Sequence, residues 1–233
     1  MLNKPILGLL VTVLFFADVQ AREYHYGAIE DTNLLQCEKL YWSGETSGAE
    51  TCYKSLLNSN HSLAVQAEAV WALGDRQSAN SVFQNAAKVE PSNAAILVRW
   101  GALYADTYQS QEALNLYTEA LALEPENSYA KLAAAEILLA SGEKQAVEQI
   151  EQLADDGSVP IGVRVKATIV LANIALKRDE IERAGGLLDS AENFSSDSSD
   201  DTLLLGVYAM RAGKAVRNRQ NPEEWIERAL QIN

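Results

Sequence analysis

Two stretches of this chain can be laid over one another without a gap when Pro91 is set on Pro125, a spacing of 34 residues. The later stretch reads NAAILVRWGALYADTYQSQEALNLYTEALALEPEN, and its apolar residues recur at intervals of three and four. That is the spacing of a helix with one buried face. Asp106 to Gln111 breaks the face, and Pro125 stops the second helix. A helix, turn, helix unit of this size cannot bury its apolar side alone, so it must stack on copies of itself. The repeat constrains the fold more than any other feature of the sequence.

Within the unit that starts at Ala94, position 8 is Gly101, position 11 is Tyr104 and position 20 is Ala113. Tyr117 follows at 24, Ala120 at 27 and Pro125 at 32, with Trp100 at 7. This pattern resembles the tetratricopeptide repeat (TPR) family. The unit before it carries Ala67, Gly74, Ala79, Phe83, Ala86 and Pro91 at 8, 15, 20, 24, 27 and 32, with Val70 at 11. A first, shorter unit has Cys37, Leu40, Gly44, Ala49 and Tyr53 in corresponding places. A fourth has Ala135, Leu138 and Gly142, then Ala146, Ile150 and Leu153 after a one-residue deletion. The fifth has Ala172, Ala175, Asp179, Ala184, Leu188 and Ala191. The sixth has Gly206, Ala209 and Gly213 at 8, 11 and 15, and a second helix from Pro222 with Trp225, Ile226, Ala229 and Leu230. The resemblance implies an all-α fold, a right-handed α-α superhelix of about six helix-turn-helix units. The units fall at about 30–59, 60–93, 94–127, 128–160, 165–198 and 199–233.

Small residues at 8, 20 and 27 let helix backbones approach, and aromatics at 11 and 24 fill the space between layers. Trp100, Tyr104, Tyr117, Phe83 and Trp225 are therefore expected in the core or between layers. Gly74, Gly142 and Gly213 are expected at the turn, where Tyr108 replaces glycine in the best unit. Gly157, Pro160 and Gly162 make segment 154–163 the expected kink, and 195–201, SSDSSDD, reads as a polar loop.

Residues 1–21 read as a signal peptide. Lys4 gives a positive start, Ile6 to Ala17 is apolar, and Val19-Gln20-Ala21 offers small residues at a cleavage site. Twelve apolar residues span about 18 Å as helix, short of the roughly 30 Å hydrocarbon core. Cutting after Ala21 leaves 212 of 233 residues, close to six units of 34, with 22–29 as an N-terminal lead. The expected location is the periplasm, or secretion. The charge of −13 disfavours nucleic acid and anionic membrane surfaces as partners, and stable membrane insertion is not expected after cleavage.

Cys37 and Cys52 stand at positions 8 and 23 of the first unit, on its two opposing helices. A disulfide stapling that end hairpin is expected in an oxidising compartment; two buried free thiols are the alternative. Two Cys and two His leave no zinc site, and no cofactor is expected. No nucleophile elbow, HExxH or phosphate-binding glycine loop is present. His25 falls in the lead and His61 on a helix face, neither with a nucleophile. Arg211, Lys214, Arg217 and Arg219 form a basic run, read as a solvated helix end, or as a dock for an acidic partner or lipid headgroups.

In the family this resembles, positions 2, 5, 9 and 12 of each first helix face a concave groove. On this chain they are His61, Ala64, Glu68 and Trp71; Ala95, Val98, Ala102 and Ala105; Tyr129, Leu132, Glu136 and Leu139; and Lys166, Ile169, Asn173 and Leu176. This wall is mostly apolar and lacks the Lys and Asn clamp by which chaperone-binding members hold a peptide carboxylate. An apolar or helical segment of a protein suits it better. The expected function is a non-catalytic interaction scaffold or adaptor of the cell envelope, as in envelope, pilus or secretion-system assembly. A self-associating structural module is the alternative, and an enzyme with an unrecognised site ranks last. Oligomeric state is left open.

Overall fold

The structure is a computed structural model that describes residues 29, 31–196 and 202–231. The expected signal peptide and most of the N-terminal lead and of the polar loop lie outside these residues. Twelve helices occupy the described part: α1 (Thr32–Trp42), α2 (Thr46–Ser55), α3 (Leu63–Ala72), α4 (Arg76–Val89), α5 (Ala94–Asp106) and α6 (Ser110–Leu123). They continue as α7 (Ser128–Ala140), α8 (Gln145–Asp155), α9 (Ile161–Lys177), α10 (Ile181–Ser196), α11 (Thr202–Arg217) and α12 (Glu223–Leu230). Consecutive helices pair as hairpins, and each hairpin stacks on the next, giving the all-α solenoid.

Local chemistry sets the helix starts. The carboxylate of Asp31 accepts from the backbone N–H groups of Asn33 and Leu34, both at 2.9 Å, and caps α1. Ser62, Asp75, Asn93 and Asn127 cap α3, α4, α5 and α7 in the same manner. His61 therefore precedes α3 instead of lying on its face.

One left-handed residue closes each hairpin turn: Gly44, Gly74, Tyr108, Gly142, Asp179 and Arg219, with φ between 56° and 91°. The intervals between them are 30, 34, 34, 37 and 40 residues, so the repeat starts short and lengthens. Here the sixth unit departs from expectation. Gly213 is not its turn; α11 runs through it to Arg217, and Arg219 takes the reversal. The apolar face of α11, with Leu203, Val207, Ala212 and Ala215 buried, continues past Gly213 and carries the helix on. The stretch 154–163 is likewise no kink within a helix but the connection between units: α8 ends at Asp155, α9 begins after Pro160, and Gly162 is helical.

Packing follows the small-residue positions. Ala67, Ala79, Ala86, Ala113, Ala120 and Ala135 are wholly buried. A Cβ built on Gly101 would stand 2.4 Å from the Tyr117 ring, so only glycine permits that contact between α5 and α6. Phe83 and Tyr117 are core residues, whereas Trp100, Tyr104 and Trp225 are half-buried. Cys37 and Cys52 are disulfide-bonded across α1 and α2, in the cluster of Leu34, Ala49 and Tyr53. Closing this 15-residue loop stabilises the end hairpin by about 3 kcal/mol in the chain-entropy picture.

Candidate functional site

Position 9 of the first helices holds a carboxylate in three units, Glu38, Glu68 and Glu136, and the fold engages each one. Glu38 is fully buried and accepts from the Tyr53 hydroxyl at 3.0 Å. Glu68 on α3 binds Arg99 of α5, with Nε to Oε1 at 2.6 Å and Nη2 to Oε2 at 3.1 Å. The same guanidinium lies 4.9 Å from the Trp71 ring centroid. Glu136 on α7 meets Lys166 of α9 at 2.7 Å. Burial pushes the Glu136 carboxyl up to about 8 and the Lys166 ammonium down to about 7. Tyr117, behind them, has its hydroxyl pushed well above the phenol range, first by burial.

These contacts correct the expected groove. Trp71 is 2 % exposed, its indole N–H donates to Asp106 at 3.3 Å, and Asp106 also binds Arg76 at 2.9 Å. Glu68, Val98 and Leu132 are buried as well, as are Ala64, Ala102 and Leu176. Side chains of the unit's own second helix and of the next first helix cover these positions, so they present almost no surface. Half-buried and partly open are His61, Ala95, Ala105, Tyr129, Glu136, Leu139, Lys166, Ile169 and Asn173. Tyr129, Glu136 and Leu139 share one side of α7, and Ile169 and Asn173 lie one turn apart on α9. The C-terminal helix α12 packs on α11 and does not run across this inner strip.

Of the basic run only Arg211 is taken up by the fold; Arg217 and Arg219 stand exposed at the end of α11, as a solvated helix end does. Arg211 is buried, with Nη2 at 2.6 Å from Asp189 and 2.7 Å from Glu192, over the Trp225 ring. Arg217 stands 3.9 Å from Asp179, and Arg219 is the turn residue of the last hairpin.

A second surface has no signature in the repeat pattern. A cleft of about 480 Å³ opens between α6 and α8, over α7. Its walls include Leu114, Thr118 and Leu121 of α6, Leu138 of α7 and Leu153 of α8. A helix turns about 100° per residue, so Lys131, Ala134 and Leu138 face this cleft while Tyr129, Leu132 and Glu136 face away. Beside it lies an open depression bordered by Glu148, Glu151 and Asp155, and Gln152 and Asp156 border both. Each of these leucines reads as ordinary core in its own helix. The gap exists only because α6 and α8 stand apart.

Among the described residues, no group of three or more His, Cys, Asp or Glu is arranged to hold a metal ion. Nor is any helix long and apolar enough to cross a membrane.

No family model and no curated protein sequence matches the chain. Solved structures that resemble it include the MamA RS-1 ArsTM double mutant, at 15 % identity and a TM-score of 0.48, covering 73 % of this chain and 92 % of that one. The nearly identical TPR-like repeats of a kinesin light chain protein from Podosopora anserina align at 19 % identity and a TM-score of 0.49, covering 73 % of this chain and 92 % of theirs. A second MamA structure aligns at 16 % identity and a TM-score of 0.43, covering 78 % of this chain and 91 % of that chain.

Proposed function

We propose that this protein is a non-catalytic scaffold of the periplasm or cell envelope that holds a segment of another protein against its inner, first-helix face. The observation that carries this is the strip left open once the fold has used its own charges. Tyr129, Leu139 and Ile169 are half-buried and keep part of their apolar area open, Ile169 beside Gly206 of α11, and Asn173 offers a polar handle; among the described residues the last helix, α12, does not cover them. The carboxylates at position 9 already bind Tyr53, Arg99 and Lys166 and serve packing instead of proton transfer. The Cys37–Cys52 disulfide suits an oxidising compartment, and the apolar run before Ala21 suits export.

The partner's contact is a helical or extended apolar segment, because Tyr129 and Ile169 offer part-open apolar side chains on adjacent first helices. Affinity capture from an envelope fraction tests this with Tyr129→Ala and Asn173→Arg combined. Both side chains are partly open, so the variant keeps its fold, whereas a change at the buried Trp71 would report on stability instead. Loss of the recovered partner is the expected outcome; undiminished recovery would rule out the inner face.

A further inference from the structure

The cleft between α6 and α8 has features that the inner-strip reading leaves unused. It is large enough to enclose several side chains and is open to solvent. Leu114, Leu121 and Leu138 line it and are only half-buried, although each is an apolar residue with a helix on either side. Along its border, the exposed side of α8 carries Glu148, Glu151 and Asp155, and Asp156 follows at the helix end. Glu151 is engaged by Arg183 at 2.8 Å, and Asp156 accepts from Ser158. Glu148 and Asp155 make no ion pair among the described residues and remain fully available. Among the described residues lining the cleft, the cation is Lys131, which is held by Glu126 at 2.7 Å.

We propose that this cleft is a second docking site, on the face away from the inner strip, for a cationic amphipathic helix of another protein. Apolar side chains of such a helix would fill the space between Leu114, Leu121, Leu138 and Leu153. Lys or Arg side chains one turn away would meet Glu148 and Asp155. The pairing is complementary in both terms, area and charge, and the acidic border turns away anionic peptides and anionic lipid surfaces alike. It does not depend on the inner face binding anything.

A fluorescein-labelled 18-residue helix with a leucine face and a lysine face, titrated with the protein and followed by anisotropy, tests the proposal. Saturable binding that weakens at least tenfold in Glu148→Lys/Asp155→Lys, and likewise in Thr118→Arg, is the expected result. These three residues are exposed, so the fold tolerates the changes, which circular dichroism checks. Tyr129→Ala should leave this binding unchanged, which separates the cleft from the inner strip. No binding of the peptide would overturn the proposal. So would equal binding of a leucine–glutamate version or of a scrambled lysine peptide, undiminished binding to the charge-reversal variant, or association with anionic vesicles in place of the peptide.

Discussion

Arg99 grips the Glu68 carboxylate through two hydrogen bonds, at 2.6 and 3.1 Å, with 3 % and 0 % of their side chains exposed. The pair joins the first helices of consecutive units, 31 residues apart in sequence. A buried pair of this kind costs desolvation that its attraction roughly offsets, but a lone survivor is heavily penalised. Glu68→Met or Arg99→Met alone should each lower stability by about 3–5 kcal/mol. The double variant should recover most of that loss. Urea denaturation of the four proteins measures it, and strictly additive losses would show that the two residues are not coupled.

Two glycines should respond oppositely to alanine. At Gly101 the new Cβ would meet the Tyr117 ring at 2.4 Å, and overpacking should cost about 1–3 kcal/mol. At Gly213 nothing lies within 4 Å and the backbone is helical, so alanine should stabilise by about 0.5–1 kcal/mol. A loss at Gly213 would return the sixth turn to that residue. Tyr108, 84 % exposed with φ of 58°, should gain stability as glycine for the converse reason.

Repeat count, hairpin pairing and most of the core were legible because each is written locally, in a period of three and four and in small residues at fixed positions. Ala67, Ala135 and Ala172 show this, all at position 8 and all fully buried. What was not legible depends on distances between units. Glu68 was visible as a carboxylate on an inner position, but its partner Arg99 lies one unit away at a position with no repeat signature. The groove was overdrawn for the same reason: Trp71 and Leu132 occupy wall positions, yet side chains of the unit's own second helix and of the next first helix cover them. Gly213 misled because a turn residue was inferred from identity, while the apolar face of α11 continues beyond it. Nothing in Leu114 or Leu138 taken singly announces that α6 and α8 separate.

Glu136 should make stability depend on pH in a defined direction once Lys166, whose ammonium is pushed down and acts in the opposite sense, is removed. Burial raises the carboxyl above its usual 4.5, to about 8, so the folded protein keeps a proton that the unfolded chain has released. Unfolding between those values then releases that proton, and stability falls as pH rises through the window. The effect is clearest in Lys166→Met compared with Glu136→Gln/Lys166→Met, since the second lacks the titrating group. The single variant's melting temperature should drop relative to the double between about pH 4.5 and 8, then run parallel above it. Parallel curves throughout would place Glu136 in a water-like setting.

The inner strip is tested most directly by site-specific photo-crosslinking. A benzophenone side chain placed at Tyr129, Ile169 or Asn173 should capture one and the same envelope protein on irradiation. The same probe at Val89, 68 % exposed and outside both proposed surfaces, should capture none. A partner common to the three inner positions and absent at Val89 is the expected result. Equal capture at all four positions, or capture at none, would contradict a binding role for the first-helix face.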